Sequence, residues 1–383
     1  MIKKRITLLT LVISISSIIT TGCWNYREVD KLAIVAGVAV DKGKDGNYEI
    51  TAEIVNTTGG RETKTTSRTI SIEGKTMFDA VRNFISLSGK KLYWSHTKVL
   101  ILSKEIASEG INKVLDWYTR DSETRENVQI LVSKGTTAKK ILENKGNSED
   151  IQSFIFEDIL KNQVNLNKSP ITNSLEFNIQ SQGKGISAIV PTVNLKKTDG
   201  KILPQIMGTA IFKKDKLVDF LNSEETKDLM FIRNEIKGGM LIEVVDGDRP
   251  TSVSLEVFKN KTKVSPFVKG KDIEINLNVD TTVAIDEIDR SENFLDEKGR
   301  KKLEESAENT LKKRIELLVK KAQSEYDTDI FGFGSRLWEE EPEVWKSVSD
   351  NWEEVFKSLK VNVKTSVHIK NSGILSKSLE EGE

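Results

Sequence analysis

The sequence predicts an α+β fold: a mixed N-terminal half of short strands and helices, then a C-terminal antiparallel sheet packed by a long amphipathic helix. Three patterns carry that expectation. Ile273, Ile275, Leu277, Val279, Thr281, Val283 and Ile285 alternate with polar neighbours, the two-residue period of a strand with one buried face. Leu303, Ala307, Leu311, Ile315, Leu318 and Ala322 recur at steps of three and four, an apolar stripe on an otherwise charged helix. Val361, Val363, Thr365, Val367 and Ile369 alternate again, so the helix lies between strands whose sheet it can cover.

In chain order, Leu32 to Val40 is apolar and β-branched, and Tyr48, Ile50, Ala52 and Ile54 alternate. The Asp45-Gly46 pair between them is a hairpin signal. The lysines at 42 and 44 argue against a calcium loop there. Arg68 to Ile72 is a further strand, and Thr76 with Asp79 is a helix start. Phe78, Val81, Phe84, Ile85 and Leu87 are expected to face the sheet from that helix. Strands at Lys98–Leu102 and Val128–Val132 alternate with helices near Ile111–Thr119, Thr137–Leu142 and Asp150–Leu160. Gln163 to Lys184 is polar and aperiodic, an excursion between subdomains. Ile186–Val190 is a strand, and Asp199-Gly200 lies in a turn-rich stretch that sets a domain boundary near residue 200.

The second half opens with a strand at Gln205–Phe212, its turn at Lys213–Lys216, and a helix start at Ser223–Thr226. Leu229–Ile236 and Met240–Val245 flank Gly238-Gly239 as a hairpin, and Val253, Leu255 and Val257 alternate. The expected organisation is therefore residues 1–22 as a signal peptide, 23–200 as an N-terminal α/β domain with two possible subdomains, 201–374 as a C-terminal α+β domain, and 375–383 as a flexible tail.

Trp338, Trp345 and Trp352 are seven residues apart; on a helix that step returns to nearly the same face, so Trp345 and Trp352 are expected to lie together with Val348, Val355 and Phe356, with Trp338 just before that helix. Pro342 suits a first helical turn. Such a stripe fills a core between helix and sheet, or forms a partner surface, since Trp is enriched at binding hot spots. Phe331-Gly332-Phe333-Gly334 ahead of it lacks the third glycine and the βαβ setting of a nucleotide loop, and reads as a hinge or tight turn.

The N-terminus has the three zones of a secretory signal. Lys3, Lys4 and Arg5 form the basic start, Ile6 to Ile19 the apolar run, and Thr20, Thr21 and Gly22 the small residues before Cys23. The apolar run is short for a membrane-spanning helix. Cys23, the sole cysteine, resembles the lipidated residue of a bacterial lipobox, with Thr20 where leucine is usual. A covalent diacylglycerol and an N-acyl chain on Cys23 would anchor the protein to the outer face of the cytoplasmic membrane. The other readings are a secreted protein with a stray cysteine and an uncleaved signal anchor.

The 58 basic residues balance 58 acidic ones, and three of the basic ones lie in the signal. That balance argues against nucleic acid as a partner, because phosphate binding needs a basic surplus. The two histidines, His96 and His368, have no metal-ligand partner at helical spacing, and no catalytic, cofactor or metal motif occurs. Glu339-Glu340-Glu341 could pair carboxylates, but acids also favour a helix start. The expectation is a protein that is not an enzyme and holds no cofactor or metal.

Gly22-Cys23-Trp24-Asn25-Tyr26-Arg27-Glu28-Val29 is similar to a lipidated GCWD-type opening, followed by the apolar strand Leu32–Asp41. His96-Thr97-Lys98-Val99, Arg120-Asp121, Leu131-Val132-Ser133-Lys134-Gly135, Gly208-Thr209-Ala210-Ile211-Phe212-Lys213, the Trp338…Trp345…Asn351-Trp352 region and Val361–Ile369 continue the likeness in order. Together they resemble the Ger(x)C family of spore germination lipoproteins. The resemblance implies the C subunit of a nutrient germinant receptor, held at the spore inner membrane with A and B subunits and needed for assembly or signalling. The alternative is a lipid-anchored protein that captures a small nutrient itself.

Overall fold

The computed structural model describes residues 2–19, 31–58, 64–146, 150–245, 250–270, 272–289, 294 and 296–371. The N-terminal apolar run forms α1 (Ile2–Ile19). Among the described residues no helix is long and apolar enough to cross a membrane, a statement that leaves membrane-crossing strands aside.

β1 (Leu32–Lys42) and β2 (Tyr48–Thr58) form an antiparallel hairpin. Asp45 (φ 52) and Gly46 (φ 81) are both left-handed at its tip, as a type I′ turn requires. β3 (Lys64–Gly74) adds on the outside of β2. The Thr76 hydroxyl then accepts from Asp79 N at 3.1 Å and starts α2 (Met77–Ser88). β4 (Lys91–Tyr93) pairs in parallel with the first residues of β1, and β5 (Val99–Ser103) with its middle. Helices α3 (Lys104–Glu109) and α4 (Asn112–Arg120) lead to the parallel strand β6 (Gln129–Ser133). α5 (Ala138–Glu143), α6 (Gln152–Lys161), α7 (Gln163–Leu166) and α8 (Ser174–Gln182) follow. β7 (Ile189–Thr198), β8 (Lys201–Lys213) and β9 (Lys216–Leu221) complete the sheet, in the order β3-β2-β1-β5-β6-β7-β8-β9.

Alternation along these strands makes two cores. Val38, Val40, Leu100, Leu102, Ile130 and Val132 face α2 and α4, while Ala39, Val99, Ile101 and Leu131 face α5 and α6. Two strand carboxylates hold the latter helices in place. Asp41 accepts from Ala138 N and Lys139 N at 2.7 and 2.8 Å. Glu53, fully buried, accepts from Gln152 N, Ser153 N and Ser153 Oγ at 3.0, 2.9 and 2.6 Å. Each carboxylate occupies a helix N-terminus, where unpaired N–H groups and the helix dipole favour an anion.

The second sheet follows α9 (Ser223–Ile232), which starts with a capping box between Asn222 and Glu225. β10 (Met240–Val245), β11 (Thr251–Lys269) and β12 (Asp272–Ile288) pair antiparallel. α10 (Glu297–Lys321) crosses them and ends in a π-turn at Ala322–Tyr326. α11 (Phe333–Glu340), α12 (Pro342–Val348) and α13 (Trp352–Ser358) lead to β13 (Lys360–Asn371) beside β12. All six apolar positions predicted for α10 are buried. On β13, Val367 N and Ile369 N donate to Glu308 and Glu304 of α10 at 3.0 and 2.7 Å, which closes that sheet edge with side chains.

The α+β class and most elements follow the expectation. Asp199 (φ 50) and Gly200 (φ 75), the turn expected near residue 200, form the tip of the β7–β8 hairpin. β8 and β9 hydrogen-bond within the first sheet, so that sheet runs to Leu221. The second sheet is mixed rather than antiparallel, because β13 returns to β12 through a helical crossover and pairs in parallel. Leu229–Ile232 ends a helix instead of forming a hairpin with Met240–Val245, which pairs with β11. The excursion at 163–184 contains α8, with its own Asn173/Glu176 capping box. Finally, α2 buries Met77, Ala80, Val81 and Phe84, leaving Phe78, Ile85 and Leu87 exposed at the sides of that stripe.

The second core reaches Ile189, Ile211 and Leu221 of the first sheet, so α9 lies between the two bodies. Where α9 meets α10, Asp228 sits 2.9 Å from the Arg314 guanidinium, with Glu224 also on Arg314 at 3.2 Å. Burial favours the neutral acid and Arg314 the ion; burial wins, and the Asp228 carboxyl is pushed up to about 6. An unfolded aspartate titrates near 4, so the native state holds this proton more tightly. Its contribution to stability is fully present below about pH 4 and lost as the pH rises through about 6. Asp228→Asn should flatten that decline, read from thermal melts across the interval. An undiminished slope in the variant would assign the decline to another group.

Candidate interaction surface at the domain junction

The two bodies interlock where the chain runs from the π-turn into α11. Asp329, wholly buried, accepts from Phe331 N (3.0 Å), Gly332 N (2.9 Å), Gly334 N (2.8 Å) and Trp352 Nε1 (3.2 Å). Burial pushes its carboxyl up, while the backbone donors pull it down. Arg233 follows α9 and is buried as well; its Nε donates to Ile330 O at 2.7 Å and its Nη2 to Ser187 O at 3.0 Å. Burial lowers the pKa of that guanidinium, with Glu235 and Asp329 opposing.

From the first domain, residues 184–187 close the junction. Ser187 N donates to Asp329 O at 2.8 Å, Ser335 N to Gly185 O at 3.0 Å, and Ser335 Oγ to Lys184 O at 2.7 Å. The backbones touch there. A Cβ on Gly185 (φ 65) would lie 2.4 Å from Gly334 Cα, and one on Gly334 would lie 2.7 Å from the Trp352 indole. The Phe-Gly-Phe-Gly stretch is therefore a tight turn built for close approach, with Gly332 left-handed at φ 81.

The tryptophans separate. Trp345 (4 % exposed) and Trp352 (6 %) are core residues with ring centroids 5.4 Å apart, whereas Trp338 is 46 % exposed. Trp345 and Trp352 lie together and Trp338 falls before their segment as expected, although α12, a 3₁₀ turn at Ser349–Asn351 and α13 replace the single helix. Pro342 does begin α12 as expected. The partner-surface reading thus survives for Trp338 alone.

Lys184 Nζ lies 5.3 Å from the Trp338 ring centroid. Lys184 closely follows α8, whose Leu175 and Ile179 are exposed together with Ile171 just before the helix. These three apolar residues, spaced by four, were missed in the sequence. Their spacing and the Asn173/Glu176 cap were the available signals. Arg233 had none, since its partners are remote in the chain, whereas Asp329 lies two to five residues before the backbone donors it accepts from, in a stretch read only as a tight turn.

His96 is exposed against Tyr93, and His368 Nε2 lies 3.7 Å from Asp280 on the open sheet face. Glu339 pairs with Arg336 at 2.6 Å, and Glu340 and Glu341 are exposed. Among the described residues no group of three His, Cys, Asp or Glu could hold a metal ion. Cys23, the predicted lipid attachment site, lies outside the described residues.

Two family models match the chain: "Spore germination protein N-terminal domain" over residues 25–195 and "Spore germination B3/ GerAC like, C-terminal" over residues 207–373. Among curated relatives, Spore germination protein KC of Bacillus subtilis (strain 168) is 26 % identical, covering 98 % of this chain and 97 % of its own length. Spore germination protein B3 of the same organism is 24 % identical, covering 93 % and 95 %. Spore germination protein GerQC of Bacillus cereus is 24 % identical, covering 94 % and 97 %. The crystal structure of the GerBC protein superposes with a TM-score of 0.56 at 21 % identity, over 88 % of this chain and 97 % of that one, a likeness of fold.

Proposed function

The chain belongs to the Ger(x)C family of spore germination proteins, and from that premise we propose that it is a lipid-anchored, non-catalytic subunit of a nutrient germinant receptor. The observation that carries this reading is the match of both family domains, in order, along almost the whole chain. In this role a folded two-domain body is held by lipid on Cys23 at the outer face of the cytoplasmic membrane, which in the spore is the inner membrane. There it meets A- and B-type receptor subunits and serves assembly or signalling. A tether raises the effective concentration of such partners, so no single interface need be strong.

Cys23→Ala is expected to move the protein from the membrane fraction to the soluble one and to weaken germination with nutrient. Fractionation of spore extracts reads the first effect and germination assays the second. Full membrane retention of the variant would end the lipid-anchor assignment.

A further inference from the structure

We propose that the surface around Trp338 and Lys184 is the face on which this chain docks a cationic protein partner, an inference that rests on the receptor reading above. The surface is apolar at its centre. Trp338 remains 46 % exposed while Trp345 and Trp352, close by in sequence, are buried, and Lys184 of the neighbouring domain lies 5.3 Å from its ring centroid. Two domains therefore contribute, joined by the Ser335 bonds to Lys184 and Gly185, so the surface is pre-organised.

Charge selects the occupant. Every residue from Trp338 to Glu343 is exposed, and four of the six are glutamates. Arg336 offsets Glu339 and Lys346 offsets Glu343, but Glu340 and Glu341 form no ion pair among the described residues. The start of α12 accounts for acids at Glu341 and Glu343 through its dipole, yet gives no reason for an exposed indole beside them. An acidic rim repels anionic lipid and nucleic acid. It suits a protein surface whose lysine or arginine side chains reach Glu340 and Glu341 while an apolar side chain packs on the Trp338 ring beside Lys184.

The test uses the full-length tagged protein in spore membranes, treated with a water-soluble carbodiimide and purified in mild detergent. The reagent joins a carboxylate to a contacting lysine amine as an amide, with loss of water. The expected product links Glu340 or Glu341 to a lysine of an A- or B-type subunit. Recovery of those subunits should fall about tenfold in Trp338→Ala and in Glu340→Lys/Glu341→Lys. Both variants should keep the wild-type melting temperature, because the altered side chains are exposed. Undiminished recovery in both variants would overturn the docking face and leave the receptor reading standing. Links only to a second copy of this chain would replace the cationic partner with self-association. If the wild type recovers no such subunit, the receptor reading fails and this inference falls with it.

Discussion

Asp329→Ala is expected to destabilise the folded chain by about 4 kcal/mol, the scale of removing one member of a buried polar network. The carboxylate satisfies three backbone N–H groups and the Trp352 indole N–H in a site closed to solvent. Alanine leaves all four donors without that acceptor, and nothing else in the turn replaces it. Asp329→Asn keeps one acceptor oxygen and should lose roughly half as much. Urea titrations followed by tryptophan fluorescence measure both, with Trp352 reporting directly on the site. A midpoint unchanged in Asp329→Ala would mean that the turn reorganises and that this network does not hold the junction.

Gly185→Ala is expected to cost about 3 kcal/mol, from overpacking together with a left-handed backbone that L-residues avoid. The new Cβ would stand 2.4 Å from the Gly334 Cα, a backbone atom that cannot swing aside. Gly200→Ala is the internal control. It shares a positive φ (75°) but its Cβ would meet open space, so only the conformational cost of about 1 kcal/mol remains. Thermal melts and limited proteolysis should separate the pair, with faster cleavage near residues 183–188 in Gly185→Ala alone. Equal behaviour of the two variants would show that the close crossing adds nothing beyond backbone conformation.

What could be read from the sequence was local. The Asp45-Gly46 turn, the Thr76 cap, the stripe of α10 and the alternation of β12 and β13 each depend on neighbours within a few residues, and all appear in the structure. Allegiance between distant segments was not readable. Lys201–Leu221 has the pattern of a strand pair, but its pattern does not say which sheet it joins. Likewise β13 alternates whether its neighbour runs parallel or antiparallel, and only the topology of the crossover settles the direction. Asp41 and Glu53 looked like ordinary strand acids because the helix N-termini that they hold lie about a hundred residues further on. At the candidate surface, Trp338 was identified together with Trp345 and Trp352, which fill the core, and elsewhere the exposed Ile171, Leu175 and Ile179 were passed over as part of an aperiodic excursion.

The parallel return of β13 to β12 also fixes an order of events. All of residues 289–359 must be in hand before Lys360 can pair with Glu274, so this contact closes one of the longest loops in the chain. On a chain supplied from its N-terminus, β12 waits with one side bare, and the Glu304 and Glu308 carboxylates have nothing to cap. During that interval the half-made sheet is a template on which a neighbouring molecule could add a strand. The last strand to arrive thus ends the period in which the molecule can misassemble, and a chain cut short before residue 360 would never leave it.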